Sequence, residues 1–198
     1  FGTLTTEEFE NYMETGGNGY LFHIWTDVSD TNTIYIGKIS VVTDYGITAE
    51  HKNDALPLSA IEFLPDYTLG GVTEDMYRIN YPTCADWQQL EIGMVKLLQD
   101  FCDSELDALK AAGYTKLVIP IYIQASVYQV YIYKPGEADE RLRFAGEIDI
   151  DKWLYPEITF EDLESYLVNG SSTVYLFMIY SNAGSDFKVY IGEFYATT

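Results

Sequence analysis

Two hydrophobic rhythms alternate along this chain: short stretches with apolar residues at helical spacing, and runs so apolar that both faces of a strand are covered. Phe9, Tyr12 and Met13 recur at i, i+3 and i+4, as do Leu163, Tyr166 and Leu167, which predicts one apolar stripe on each of two short helices. Thr5-x-x-Glu8 and Thr159-x-x-Asp162 place a hydroxyl three residues ahead of an acid, the pattern that satisfies free amides at a helix start. Gly16 and Gly170 supply the left-handed residue that ends each helix. A helix of two or three turns does not persist alone in water, so each is expected to dock on the strands that follow it.

Those strands begin at Tyr20 and Tyr175. Tyr20, Phe22 and Ile24 line one face of the first and Leu21, His23 and Trp25 the other, so both faces are expected to be covered. Turn-rich stretches, Thr26 to Asn32 and Ser181 to Asp186, then predict hairpin loops, and Gly37, Gly146 and Gly192 in the returning strand predict a bulge or a close approach by another backbone.

The two regions also match residue by residue. Leu4 to Gly16 over Ile158 to Gly170, and Tyr20 to Ile39 over Tyr175 to Phe194, share 12 identities in 33 aligned positions, where ordinary composition would supply about two. A more degraded copy lies between them: Leu106, Leu109 and Gly113 fall where Phe9, Tyr12 and Gly16 do, and Leu117 to Tyr122 falls where Tyr20 to Trp25 does. The expected fold is α+β and mostly antiparallel. It has repeated helix plus β-hairpin units, two clear and a third degraded, around a longer central helix. One compact domain, 1–198, would carry repeats at 4–39, about 104–150 and 158–194, with an inserted segment at 45–103. Within that insert, Ile61 to Leu64 and Met76 to Tyr81 read as strands around a Gly70-Gly71 turn. Cys84 to Ala112 reads as the long helix, interrupted near Asp103-Ser104. On such a helix Cys84 and Cys102 would stand roughly 27 Å apart, beyond disulfide reach, and both read as free thiols.

Composition narrows the class. The chain has 198 residues, 47% of them hydrophobic and 16% aromatic, too apolar for a disordered tail and long enough for a core without staples. With 31 acidic against 11 basic residues the net charge is −20, a field that repels phosphate backbones and anionic membranes. Nucleic acid is not an expected partner. No apolar run approaches a membrane span, the longest being Leu117 to Ile123 around Pro120. The chain opens at Phe1 without a basic and then apolar leader, as expected of a processed chain or a piece of a longer one.

Candidate chemistry is sparse. His23 aligns with Pro120 and Met178 in the other copies, so its position accepts apolar groups and no catalytic residue is expected. His51 sits in the polar run Glu50 to Asp54 and reads as an exposed loop. Asp27, Asp30 and Asn32 in one loop, and Asp149 with Asp151 on one strand face, offer oxygen ligands of the kind calcium takes. They read first as solvated turn and edge residues, in a chain where acids are abundant. No cofactor motif is present. Trp25, Tyr122 and Tyr180 fall in register at the end of the first strand of each copy; a repeated aromatic suits contact with a protein or a sugar, against the simpler reading that repeats repeat their core.

These features point to a non-enzymatic structural or adhesive protein of an extracellular or virus-particle assembly, meeting a protein partner, its own copies or a glycan. The alternative is an acidic inhibitor, an immunity or anti-defence protein that occupies a basic nucleic-acid-binding surface.

Overall fold

The computed structural model describes residues 44–51, 54–81, 88–124, 128–133, 141–145, 152–169, 175–181 and 187–198, all within the compact unit Val41–Thr198. The first copy, 4–39, with Gly16, Phe22 and His23, lies outside them, as do Cys84, Gly146 and Gly170.

Antiparallel sheet dominates. Six strands run in the order β2 (Asp54–Ala55), β1 (Thr48–His51), β5 (Gln88–Gly93), β12 (Phe177–Ser181), β8 (Tyr128–Tyr133), β9 (Arg141–Ala145). A second sheet is ordered β10 (Trp153–Leu154), β7 (Ile121–Gln124), β13 (Phe187–Ile191), β4 (Val72–Tyr81), β3 (Ile61–Leu69). A third is ordered β11 (Glu157–Thr159), β6 (Lys116–Val118), β14 (Tyr195–Thr197). Helix α1 spans 95–111 and α2 spans Phe160–Asn169. Residues from all three sheets and both helices meet in one core, with Leu98, Leu117, Ile123, Leu163, Phe177, Ile179 and Val189 wholly buried.

The β3–β4 hairpin extends the expected strands up to the Gly70-Gly71 turn. Both glycines have positive φ, 57° and 82°, the paired left-handed geometry that matches the twist of a two-residue hairpin. Pairing skips between Leu64 and Tyr67. Pro65, which has no N–H to donate, sits in that bulge on an edge strand, and Asp66 takes φ 48° with its N–H held 2.9 Å from Asp75 Oδ1. Proline and bulge together blunt an edge of nine residues against pairing with another chain.

The long helix begins later than its spacing predicts. Gln88–Gly93 is a strand near the middle of the six-stranded sheet, and Leu90, Ile92 and Met94 are all fully buried. This is a period of two, hidden because Leu90, Met94, Leu97 and Leu98 also fit a helix. The interruption expected near Asp103-Ser104 is a π-helical turn, Cys102–Leu106. A straight α-helix would set Leu98 and Leu106 about 80° apart; the wider turn brings both into the core. At the end of α1, Gly113 has φ 91°, its N–H reaches Lys110 O, and Tyr114 N–H reaches Leu109 O, a Schellman stop.

Helix α2 starts where its threonine predicts: Thr159 Oγ1 accepts the Asp162 N–H at 3.0 Å. Leu163 and Tyr166 are fully buried, and the Tyr166 hydroxyl accepts the Met94 N–H at 3.0 Å. The strands after α2 do not form the expected hairpin. β12 pairs with β5 and β8, whereas β13 pairs with β4 and β7, so the chain passes from one sheet into the other. The apolar run Leu117 to Ile123 divides likewise, its first part in the three-stranded sheet and its second in the five-stranded one. Every residue of it is buried.

Candidate functional site

Of the residues singled out by pattern, Trp25, Asp27, Asp30, Asn32, Asp149 and Asp151 lie outside the described residues. Tyr122 and Tyr180 are separated by the sheets they join. Tyr122, on β7, is 5% exposed, with its ring edge-on to Trp153 and Tyr190 at centroid distances of 5.6 and 6.2 Å. Tyr180, on β12, is half-buried; its hydroxyl donates to Gln89 Oε1 at 3.0 Å and its ring meets Tyr131 edge-on at 5.8 Å. His51 ends β1 opposite Asp54, in a hairpin rather than a loop. Cys102 is a free thiol, pushed up to about 11 by burial and then by Glu164 and Asp103, which suppresses its reactive thiolate. Among the described residues no group of three or more His, Cys, Asp or Glu is placed to hold a metal ion.

Tyr122 belongs to a row that crosses all five strands of the second sheet, Glu62–Arg78–Tyr190–Tyr122–Trp153. The tip of the β3–β4 hairpin folds over this row. Tyr67 stacks on Tyr190 with 10° between the rings, and the Trp153 indole N–H donates to Leu69 O at 2.9 Å. Gly70 is needed here for space as well as for φ, because a Cβ would lie 3.1 Å from the Tyr122 ring.

An exposed surface lies on the three-stranded sheet. Ile158, Leu117 and Ala196 form the row facing the core, so the flanking rows, Glu157–Val118–Tyr195 and Thr159–Lys116–Thr197, face outward. Tyr195 is 48% exposed and Tyr155, just before β11, is 50% exposed, while Val118 in the same outward row is buried. Lys116 Nζ lies 2.8 Å from Glu157 Oε2. Glu193 is exposed, and its N–H donates to Glu74 Oε1 at 3.2 Å. Glu74 occupies the notch left by Gly192, where a Cβ would collide with its carboxylate; the close approach at that glycine is made by a side chain and not by the other backbone expected there. Burial holds the Glu74 carboxyl above its ordinary range, Glu193 adding to the shift and the hydrogen bond opposing it. The Tyr195 hydroxyl is raised by partial burial, then by Tyr155, Glu157 and Glu74.

The result is a pair of amphipathic rings on acidic ground. Beside it, Lys116, Glu157, Thr159 and Asp162, with Ile132, Tyr133 and Ile158, line a depression of about 130 Å³, well below the size of typical small-molecule pockets. Half-exposed tyrosines beside charged groups are suited to a macromolecular contact. The sequence pattern does not reveal Tyr155 and Tyr195, because Tyr195 lies in a three-residue strand with too little alternation to orient it and Tyr155 lies outside any strand. No family model matches this chain, and no curated protein is significantly similar to it.

Proposed function

We propose that this protein is a non-enzymatic structural or adhesive component of an extracellular or virus-particle assembly, working through protein–protein contacts. The observation that supports this reading best is the outward face of the three-stranded sheet, where Tyr155 and Tyr195 are half-exposed. Tyrosine gives large contact area at small entropic cost and is enriched where binding energy concentrates. The helix-plus-strand duplication of 4–39 in 158–194 belongs to the same proposal, since repeated small units suit an assembly protein.

The test is association across salt. A chain of net charge −20 repels its own copies, and salt screens that repulsion within a Debye length of about 8 Å at physiological strength. Sedimentation of the full chain from about 0.05 to 0.5 M salt should show self-association that holds or strengthens. Tyr155→Ala with Tyr195→Ala should weaken it. The alternative, an acidic inhibitor, draws support from Glu74, Glu157 and Glu193 around the same tyrosines. It predicts binding to a basic protein that falls steeply over the same range, and that outcome would displace the structural reading.

A further inference from the structure

Beyond its aromatic row, the second sheet carries a polar row on the same face. Gln124, Lys188 and Asn80 pair across β7, β13 and β4, two residues along from Tyr122, Tyr190 and Arg78, so alternation puts them on the side the hairpin tip covers. The tip reaches Tyr190, Tyr122 and Trp153 through Tyr67, Leu69 and Val72. Gln124 is exposed, and Lys188 and Asn80 are half-buried.

One cation here differs from the others described. Arg78, Lys96, Lys110 and Lys116 each pair with a carboxylate. Among the described residues Lys188 makes no ion pair, although acids outnumber bases almost three to one. Its diagonal neighbour Arg78 is already bound by Glu62 and Tyr190, so Lys188 is the cation this strip offers to an incoming acid. Asn80 Nδ2 is held by Ala60 O at 3.3 Å, which leaves its Oδ1 to accept. Gln124 offers both an acceptor and donors.

We propose that this strip binds a saccharide bearing a single carboxylate, with Lys188 facing the acid and Asn80 and Gln124 facing ring hydroxyls. The three polar side chains stand at strand spacing, about 4.8 Å apart, so they span two adjacent sugar rings. The half-buried Tyr67 at the margin adds an aromatic wall. A single charge fits better than a polyanion, because the net charge of −20 repels densely charged ligands at a distance and only short-range donors can offset it. The inference supplies a ligand for an adhesive protein but does not rest on the Tyr155–Tyr195 face, and either can fail alone.

The test titrates the full chain with 3′-sialyllactose and with a glucuronic-acid-terminated disaccharide, followed by saturation-transfer NMR and calorimetry. Lactose and an acetylated Asp-Glu dipeptide serve as controls. Both acidic saccharides should bind, lactose should not, and the dipeptide should bind more weakly than either. Lys188→Gln should weaken binding about tenfold, as expected for loss of a charge-assisted hydrogen bond, and Gln124→Ala should weaken it less, both with unchanged melting temperature. General attraction cannot mimic this result, since the ligands and the protein carry the same sign. Absence of binding by both saccharides overturns the proposal, as does equal binding of lactose or an affinity that Lys188→Gln leaves intact. Equal or tighter binding of the dipeptide reassigns the strip to peptides and overturns it too.

Discussion

Phe177 and Glu74 show how differently single side chains act in this fold. Phe177 is wholly buried in the main core, so truncation removes both its transfer energy and its packing. Phe177→Ala should lower stability by about 3–5 kcal/mol in denaturant melts; a loss under about 1 kcal/mol would mean the core collapses around the gap. Glu74 carries a penalty at neutral pH instead. Its carboxyl is raised from 4.5, chiefly by burial, so the native protein holds that proton more tightly than the unfolded chain does. The stability it contributes is fully present below the unfolded value and is lost as pH rises through the folded one. Glu74→Gln keeps an acceptor for the Glu193 N–H and avoids the loss. The variant should therefore gain on the wild type as melts move from about pH 4 to about pH 7, and a constant or shrinking difference would contradict the burial argument.

At the scale of elements, the β3–β4 hairpin separates two reasons for a glycine. Gly70 and Gly71 both have positive φ, but a Cβ on Gly70 would press on Tyr122 and Trp153, whereas one on Gly71 meets open space. Gly71→Ala should cost about 1 kcal/mol from backbone strain alone. Gly70→Ala should cost more, by about 1–3 kcal/mol of overpacking, and should alter near-ultraviolet circular dichroism from the rings beneath it. Equal losses would show that the tip lifts freely from the aromatic row. Helix α1 makes a related point: its π-helical turn is set by the need to bury Leu98 and Leu106 together, a demand of the core and not of local propensity.

For the whole molecule, charge and core oppose each other. Of the ion pairs formed among the described residues, Lys96–Asp44, Lys110–Glu164 and Lys116–Glu157 are largely exposed and contribute little, so the core must hold the fold against self-repulsion. Melting temperature should climb as sodium chloride rises from about 0.02 to 0.3 M, with most of the gain below about 0.15 M, where the Debye length falls fastest. A melting temperature that fell with salt would mean attractive pairs outweigh repulsion. No helix among the described residues is long and apolar enough to cross a membrane.

Local signals were legible in the amino-acid order: the Thr159 cap, the Gly113 stop, the Gly70-Gly71 turn, the buried run Leu117 to Ile123 and the mostly antiparallel α+β character. Each depends on residues a few positions apart, where backbone sterics and hydrogen bonding allow few outcomes. Tertiary structure decided the rest. Gln88–Gly93 became a strand because β1 and β12 flank it, and six residues cannot distinguish a period of 2 from one of 3.6 when neighbouring residues extend both patterns. β12 and β13 parted into different sheets because strand partners are chosen across the chain, not along it. That choice buried Tyr122, while the three-stranded sheet turned Tyr195 outward beside Tyr155. Aromatic residues of one type thus ended as core or as surface according to which strand lay alongside, a long-range fact that no local pattern carries.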